Sequence, residues 1–318
     1  MLIDLPVSEL FKWQGRNPRP DDYDAYWERA LNEAKAVDPA PEFIPSGFKT
    51  PMVDCFDLFY SGVRNARIHA KFLKPKKIDK KAPAVFVFHG YSGDAGDWMG
   101  LLPYAASGMI VAAMDCRGQG GSSEDSGGVK GNTLHGHIIR GLDDEPDNLL
   151  FRHIFLDIVQ LVRVVSGLPE TDKNRLGAVG GSQGGGLTLA CAGLSPEIKR
   201  ACPSFPFLCD YKRVWELDLA KDAYQELKDH FRHFDPRHEK EDEIFTRLGY
   251  VDVQFLAPRI KAEVLMFTGL MDTICPPSSQ FAAYNKITSK KNVLFYPDFG
   301  HEGLPGAGDK GLEFLLEL

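Results

Sequence analysis

The stretch GAVGGSQGGG, Gly177–Gly186, sets six glycines around Ser182. Glycine at this density weakens the interior of a helix or a strand, so the stretch calls for another explanation. Within it, Gly180-Gly181-Ser182-Gln183-Gly184 fits the pattern G-x-S-x-G. A strand-like apolar run, Leu176–Val179, precedes the pattern, and a helix-like run, GLTLACAGL, follows it. Strand, sharp turn and helix form the setting of a nucleophile elbow. The turn forces the serine into strained dihedrals, and side chains two positions either side would clash. The hydroxyl is left exposed beside the positive end of the next helix. The pattern is weak alone and gains weight from this placement.

Outward from this stretch, AVFVFHG, MIVAAMDCRGQG, AEVLMFTGLMD and NVLFYPDFGHEG are short apolar runs that each end in a polar or Gly-rich loop. Between them lie helical patterns such as Phe151–Val165, with Ile154, Phe155, Ile158, Leu161, Val162 and Val165 on one side. Buried-type strands alternating with helices predict an α/β fold with a mostly parallel, doubly wound sheet. In such sheets, sites form at the carboxyl ends of the strands. Before this region, RPDDYDAYWERALNEAKAV reads as an amphipathic helix capped by Asp21 or Asp22. VDCFDLFYSGVRNARIHAKFLKP reads as an antiparallel hairpin whose Arg67, His69 and Lys71 form a wet face. Residues 211–250 are charged and helix-rich, and read as an insertion over the sheet edge, with RHEKEDE as a solvated helix face. The expected organisation is one domain over residues 1–318.

Composition narrows the function classes. Hydrophobic residues at 43% and charged residues at 25% suit a soluble globular protein. A formal net charge of -7 argues against nucleic acid or an anionic membrane as the main partner. No apolar run approaches bilayer length. MLIDLPVSELFKW does not read as a secretory signal. Cys55, Cys116, Cys191, Cys202, Cys209 and Cys275 are scattered without a CxxC, which points to reduced thiols.

A nucleophilic serine needs a base and an acid that orients it. His301 follows NVLFYPDFG on a loop after the last strand, at the correct end of the sheet. His89 reads as loop-shaping, and His230, His233 and His238 as solvated. His135 and His137, in a Gly-rich loop, are weaker candidates. For the acid, Asp272 closes AEVLMFTGLMD one loop after a strand. Asp298 stands three residues before His301 and reads as a loop-shaping competitor. Ser182, Asp272, His301 is the chain order of α/β-hydrolases. The oxyanion donors are expected to be the backbone N–H of Gln183 and one from FHGYSGDAGDW, with Tyr91 the best candidate. Gly306-Ala307-Gly308-Asp309-Lys310-Gly311 matches G-x-G-x-x-G, but no strand directly precedes it and little chain follows. It reads as a loop rather than a dinucleotide site.

Three motifs together resemble a known family. Arg117-Gly118-Gln119, Gly180-Gly181-Ser182-Gln183-Gly184 and His301-Glu302 look like the RGQ, GxSQG and HE motifs of carbohydrate esterase family 7, the acetyl xylan esterases and cephalosporin C deacetylases. PRPDDYDAYW is similar to the opening helix of that family. The resemblance implies an α/β-hydrolase fold and deacetylation of xylo-oligosaccharides and cephalosporin C through an acyl-enzyme on Ser182. His301 would be base and acid, Asp272 would orient it, and Tyr91 and Gln183 would hold the oxyanion. It also implies no metal or other cofactor, a cytoplasmic location and a ring-shaped homo-hexamer. Arg117 and Glu302 would brace loops. Two rivals stay open: a serine peptidase or other carboxylesterase on the same fold, and a hydrolase fold turned binding protein.

Overall fold

The short apolar runs become a single sheet. In a computed structural model that describes residues 3–125 and 133–318, the strands are β1 (Glu42–Pro45), β2 (Val53–Ser61), β3 (Arg67–Pro75), β4 (Ala82–Phe88), β5 (Ile110–Met114), β6 (Thr171–Gly181), β7 (Ile198–Ser204), β8 (Glu263–Gly269) and β9 (Lys291–Tyr296). Their order is β1-β2-β3-β5-β4-β6-β7-β8-β9. The six strands from β5 to β9 in this order run parallel, and β1, β2 and β3 add an antiparallel end. The runs are apolar throughout because both faces of the parallel part are covered. Ala84, Phe86 and Phe88 share a buried cluster with residues of the helices Leu150–Ser166 and Gln183–Leu194. Val85 and Val87 point the other way, toward the helices Trp98–Ala106 and Ala307–Leu316. This is the α/β-hydrolase arrangement expected from the sequence.

The N-terminal helix spans Tyr23–Ala36 and buries Tyr23, Tyr26, Trp27, Ala30 and Ala34. Asp22 occupies its N-cap position, but its side chain makes no capping bond. Trp27 stacks on Phe155 at 5.9 Å between ring centroids, which fastens this helix to the core.

The hairpin forms as β2 and β3, with Leu58 opposite Ala70. Its expected wet face is only half wet. Arg67 and Lys71 stay partly exposed, whereas His69 between them is buried. Asp115, just past β5, accepts from His69 Nδ1 at 2.7 Å, and Asp57 lies 3.0 Å from Nε2. Tyr60, one of the hairpin's aromatics, is also buried and donates its hydroxyl to the Asp157 carbonyl.

Residues 211–250 form the helices Tyr211–Glu216, Gln225–Phe234 and Glu241–Gly249. They lie over the carboxyl end of the sheet, not along a lateral edge, because the flanking strands β7 and β8 are interior. Tyr224, Phe231, Phe245 and Leu248 enter the main core, and Arg247 donates to the carbonyl of Leu142. Asp242 and Arg237 are exposed, as the charged run suggests, but His230 is buried, contrary to the sequence reading. The G-x-G-x-x-G stretch is not simply a loop. From Ala307 it is the C-terminal helix, whose Gly311 lies against Cys202. Part of the Gly-rich segment before His135 and His137 lies outside the described residues.

Candidate active site

β6 ends at Gly181 and the next helix starts at Gln183, so Ser182 alone makes the turn. It does so with φ 57° and ψ −120°. Such backbone costs of order 1–3 kcal/mol and persists only where the surroundings hold it. Ser182 N–H donates to the Ser204 carbonyl at 3.0 Å, and its own carbonyl accepts from Phe207 and Gly186 N–H at 2.9 and 3.1 Å. A Cβ on Gly180 would sit 2.6 Å from the carbonyl of Gly184, and one on Gly184 would sit 2.1 Å from the carbonyl oxygen of Phe88. These two glycines make the elbow possible. Gly185 and Gly186 serve packing instead, pressing the helix onto the backbone at Ser204 and Phe207.

His301 follows β9, and Asp272 follows β8. His301 Nε2 lies 2.9 Å from Ser182 Oγ, and Nδ1 lies 2.8 Å from Asp272 Oδ2. Asp272 is fully buried, and its other oxygen accepts from Ile274 and Cys275 N–H at 2.9 and 2.8 Å. With the Nδ1 proton directed at Asp272, the Nε2 lone pair faces the serine hydroxyl. Asp298 is exposed, and among the described residues its carboxylate has no hydrogen-bond partner. His89 shapes its loop, accepting Cys116 N–H at Nε2 and lying 2.7 Å from the Gly90 carbonyl. His137 is buried beside Ser92, with its pKa lowered to about 4 by burial and then by Arg140. Neither it nor the exposed His135 reaches Ser182.

Among the described residues, the backbone N–H groups of Tyr91 and Gln183 make no hydrogen bond within the protein. They are therefore available to an oxyanion at this end of the sheet. The Tyr91 side chain turns away, with its hydroxyl on Glu226 and its ring 5.6 Å from that of Phe207. Phe205, with φ 32°, sets its ring 4.6 Å from that of His301. Trp98 belongs elsewhere. It begins a helix and stacks on Phe48 beside the hairpin, away from Tyr91 in the same loop segment.

The first and third motifs of the sequence brace this region. Arg117 is fully buried and grips Asp157 with two bonds of 2.7 and 2.6 Å. Glu302 accepts the Gly300 N–H beside His301. Sequence reasoning missed Glu226 and Cys275, whose buried thiol has its pKa raised by burial, and gave no role to Gln119 of the Arg117-Gly118-Gln119 motif, whose amide reaches Ser92 and Gln183. A glutamate in a charged run and an isolated cysteine carry no local pattern that would mark them. Among the described residues, the metal-ligating types that gather are Asp272, Cys275 and His301, with donor atoms within 4.8 Å of one another. Asp272 and His301 are already bonded to each other, with His301 turned toward Ser182.

Sheet order, elbow geometry and the hydrogen-bonded run from Asp272 through His301 to Ser182 place the chain among the α/β-hydrolases. The model of the acetyl xylan esterase (AXE1) family matches residues 1–318, and the chain belongs to that family of carboxylic ester hydrolases. Its structure is similar to that of acetyl xylan esterase 1 from Thermoanaerobacterium sp. JW/SL YS485, with 58% identity, 99% of each chain covered and a TM-score of 0.96. It is also similar to an acetyl xylan esterase from Paenibacillus sp. R4, with 35% identity, 98% of this chain and 99% of that one covered, and a TM-score of 0.92. The acetyl esterase Axe7A of Xylanibacter ruminicola is 29% identical over 298 residues, which is 91% of this chain and 64% of that longer protein.

Proposed function

We propose that this protein is a serine esterase that removes acetyl groups from O-acetylated xylo-oligosaccharides and from cephalosporin C. The observation that carries the reading is the placement of His301 Nε2 on Ser182 Oγ, with Asp272 on the opposite ring nitrogen. Ser182 Oγ attacks the acetyl carbonyl carbon while His301 takes its proton. The Tyr91 and Gln183 N–H groups donate to the carbonyl oxygen and stabilise the charge that develops on it. Asp272 holds the tautomer and stabilises the imidazolium. Collapse of the tetrahedral intermediate expels the alcohol, which takes the proton back from His301. Water then attacks the acetyl-enzyme while His301 takes its proton; collapse of the second intermediate returns that proton to Ser182 Oγ, and acetate leaves. The scheme balances without a metal or other cofactor.

The substrate class is supported by family membership and by the names of the two similar structures, both acetyl xylan esterases. Cephalosporin C, a cytoplasmic location, a homo-hexamer and a single domain over residues 1–318 rest on the family resemblance. Among the described residues no helix is long and apolar enough to cross a membrane. Turnover of 4-nitrophenyl acetate, acetylated xylo-oligosaccharide and cephalosporin C tests the activity. Ser182→Ala should lower kcat at least about a thousandfold with the fold intact, and a serine-directed phosphonate should label Ser182. Near-normal turnover by the variant, or labelling elsewhere, would refute the assignment. Light scattering that reports a stable monomer at micromolar concentration would refute the hexamer.

A further inference from the structure

Glu226 takes no part in the scheme above, yet its placement is unusual. It lies in the insertion helix Gln225–Phe234 with a side chain that is buried. Among the described residues no lysine, arginine or histidine ion-pairs with it. A carboxylate without a cation is expensive to bury unless its oxygens are well hydrogen-bonded. Here they are. Oε2 accepts the N–H groups of Ile138 and Ile139 at 2.8 and 3.1 Å, and Oε1 accepts the Tyr91 hydroxyl. Burial still raises the Glu226 pKa to about 7. One side chain thus ties the insertion to the segment after His137 and to the loop that follows β4.

Tyr91 is the residue whose backbone N–H is assigned to the oxyanion. The backbone on either side of it is also tied, with the Gly90 carbonyl accepting the Gly93 N–H at 3.1 Å and the Ser92 N–H donating to Gln119 at 3.0 Å, and Ser92 has φ 59°; the Tyr91 side chain adds a tie at the donor residue itself. The Tyr91 ring is confined between Phe207 and His137, at 5.6 and 4.8 Å, and its hydroxyl ends on Glu226. Fixing both ends of a side chain fixes the peptide it hangs from. We propose that Glu226 is a positioning residue for the oxyanion site, and that through the Tyr91 hydroxyl the 211–250 insertion clamps the loop that supplies one of the two oxyanion donors. The inference rests on the assignment of Ser182 and of the Tyr91 and Gln183 N–H groups made above. It gives the insertion a function in the reaction that its charged sequence does not suggest.

The test uses the full-length protein with Tyr91→Phe, Glu226→Ala, the double variant and Glu226→Gln. A donor displaced by a fraction of an ångström weakens the transition state more than substrate binding. Tyr91→Phe and Glu226→Ala should each lower kcat for 4-nitrophenyl acetate about 10- to 100-fold, with KM within about twofold. The double variant should be no worse than the poorer single one, because both cut the same link. Glu226→Gln, which keeps an oxygen able to accept the Tyr91 hydroxyl, should recover part of the loss. The rate of Ser182 phosphonylation should fall in step with kcat, since the phosphonyl oxygen occupies the same oxyanion site. If Glu226→Ala fails to fold, Tyr91→Phe, which removes one oxygen atom, decides by the same kcat and labelling criteria. A wild-type kcat in the folded single variants, additive losses in the double variant, or a change confined to KM overturns the clamp while Ser182-dependent turnover stands. Activity that survives Ser182→Ala overturns the site assignment itself.

Discussion

Gln119 and Gln183 pair through their side-chain amides in both directions. Gln119 Nε2 donates to Gln183 Oε1 at 3.1 Å, and Gln183 Nε2 donates to Gln119 Oε1 at 3.0 Å. Gln119 Oε1 also accepts the Ser92 N–H at 3.0 Å. The pair is fully buried and links Gln183, which supplies one N–H assigned to the oxyanion, to Ser92, the residue after Tyr91, which supplies the other. Gln119→Leu would leave the Ser92 N–H and the Gln183 amide without these partners. Each buried orphan costs roughly 1–3 kcal/mol. Urea denaturation should show a loss of at least that size, and kcat for 4-nitrophenyl acetate should fall more than KM rises. Unchanged stability would mean that the pair contributes nothing net.

The two aspartates near His301 should separate cleanly. Asp272→Asn removes the carboxylate that fixes the imidazole tautomer, so kcat should drop by about a thousandfold or more. Asp298 is exposed and has no bond to His301. Asp298→Asn should change kcat less than about threefold, a surface-level effect. The reverse ranking in steady-state kinetics would reassign the acid.

Glycines in this chain should respond very differently to one added methyl group. At Gly184 the new Cβ would meet the Phe88 carbonyl oxygen at 2.1 Å, a backbone atom that cannot step aside. Gly184→Ala should destabilise by at least about 2–3 kcal/mol or prevent folding. Gly100, inside the helix Trp98–Ala106, has nothing within 4 Å of that position. Gly100→Ala should stabilise by up to about 1 kcal/mol through helix propensity. Thermal midpoints of the two variants check the contrast.

His69 gives a pH dependence with a definite sign. Burial opposes its charge, but the hydrogen bonds and charges of Asp115 and Asp57 outweigh burial and raise its pKa above the ordinary 6.5. For Asp115, burial is likewise outweighed, by His69 and by the Ser122 and Ala95 N–H groups, and its pKa is lowered from 3.8. An imidazole with a raised pKa stabilises the fold fully below its unfolded pKa and loses that contribution as pH rises through the folded value. A carboxylate with a lowered pKa stabilises above its unfolded pKa and loses it in acid. The pair is therefore most stabilising between those limits. His69→Gln should be clearly destabilising at pH 6 and much less so at pH 9 in urea titrations. Equal losses at the two pH values would contradict the assignment of charge to His69.

The acyl side of the site should be short. Phe205 stands against His301, and a Cβ on Gly181 would lie 3.3 Å from its ring, so a large rigid ring stands beside the serine. Exclusion by clash can exceed the roughly 1–3 kcal/mol that one methylene of contact supplies. Across 4-nitrophenyl acetate, butyrate and octanoate, kcat/KM should fall steadily and by at least about a hundredfold overall. Phe205→Ala should flatten the series. A wild-type profile that is flat or rises toward octanoate would rule out an acetyl-sized pocket.

The sequence by itself determined what depends on neighbours along the chain. The continuous apolar runs predicted parallel strands, and β4, β5, β6, β8 and β9 are parallel strands of one sheet, with β9 at its edge; β7, which carries Lys199 and Arg200, is not among those runs. The elbow was legible because part of its constraint is local: Gly180 and Gly184 lie two residues either side of Ser182 and the turn brings Gly180 against the Gly184 carbonyl, whereas the Phe88 carbonyl that crowds both comes from β4. Chain order and loop position pointed to Asp272 and His301; the fold brings His301 to Ser182 over 119 residues of separation and Asp272 to His301 over 29. What only the tertiary structure decided are the pairings between segments with no sequence relation. His69 looks solvent-facing in its strand and is buried because Asp115 arrives from another strand. His230 sits in a charged run and is buried because its helix packs over the sheet. Trp98 is near Tyr91 in sequence yet turns to Phe48, and Glu226 is distant yet holds the Tyr91 hydroxyl. Periodicity records which side of an element is apolar, whereas the partner of a buried polar group is set by whichever distant segment arrives with a matching donor or acceptor. That match exists only once the chain has folded.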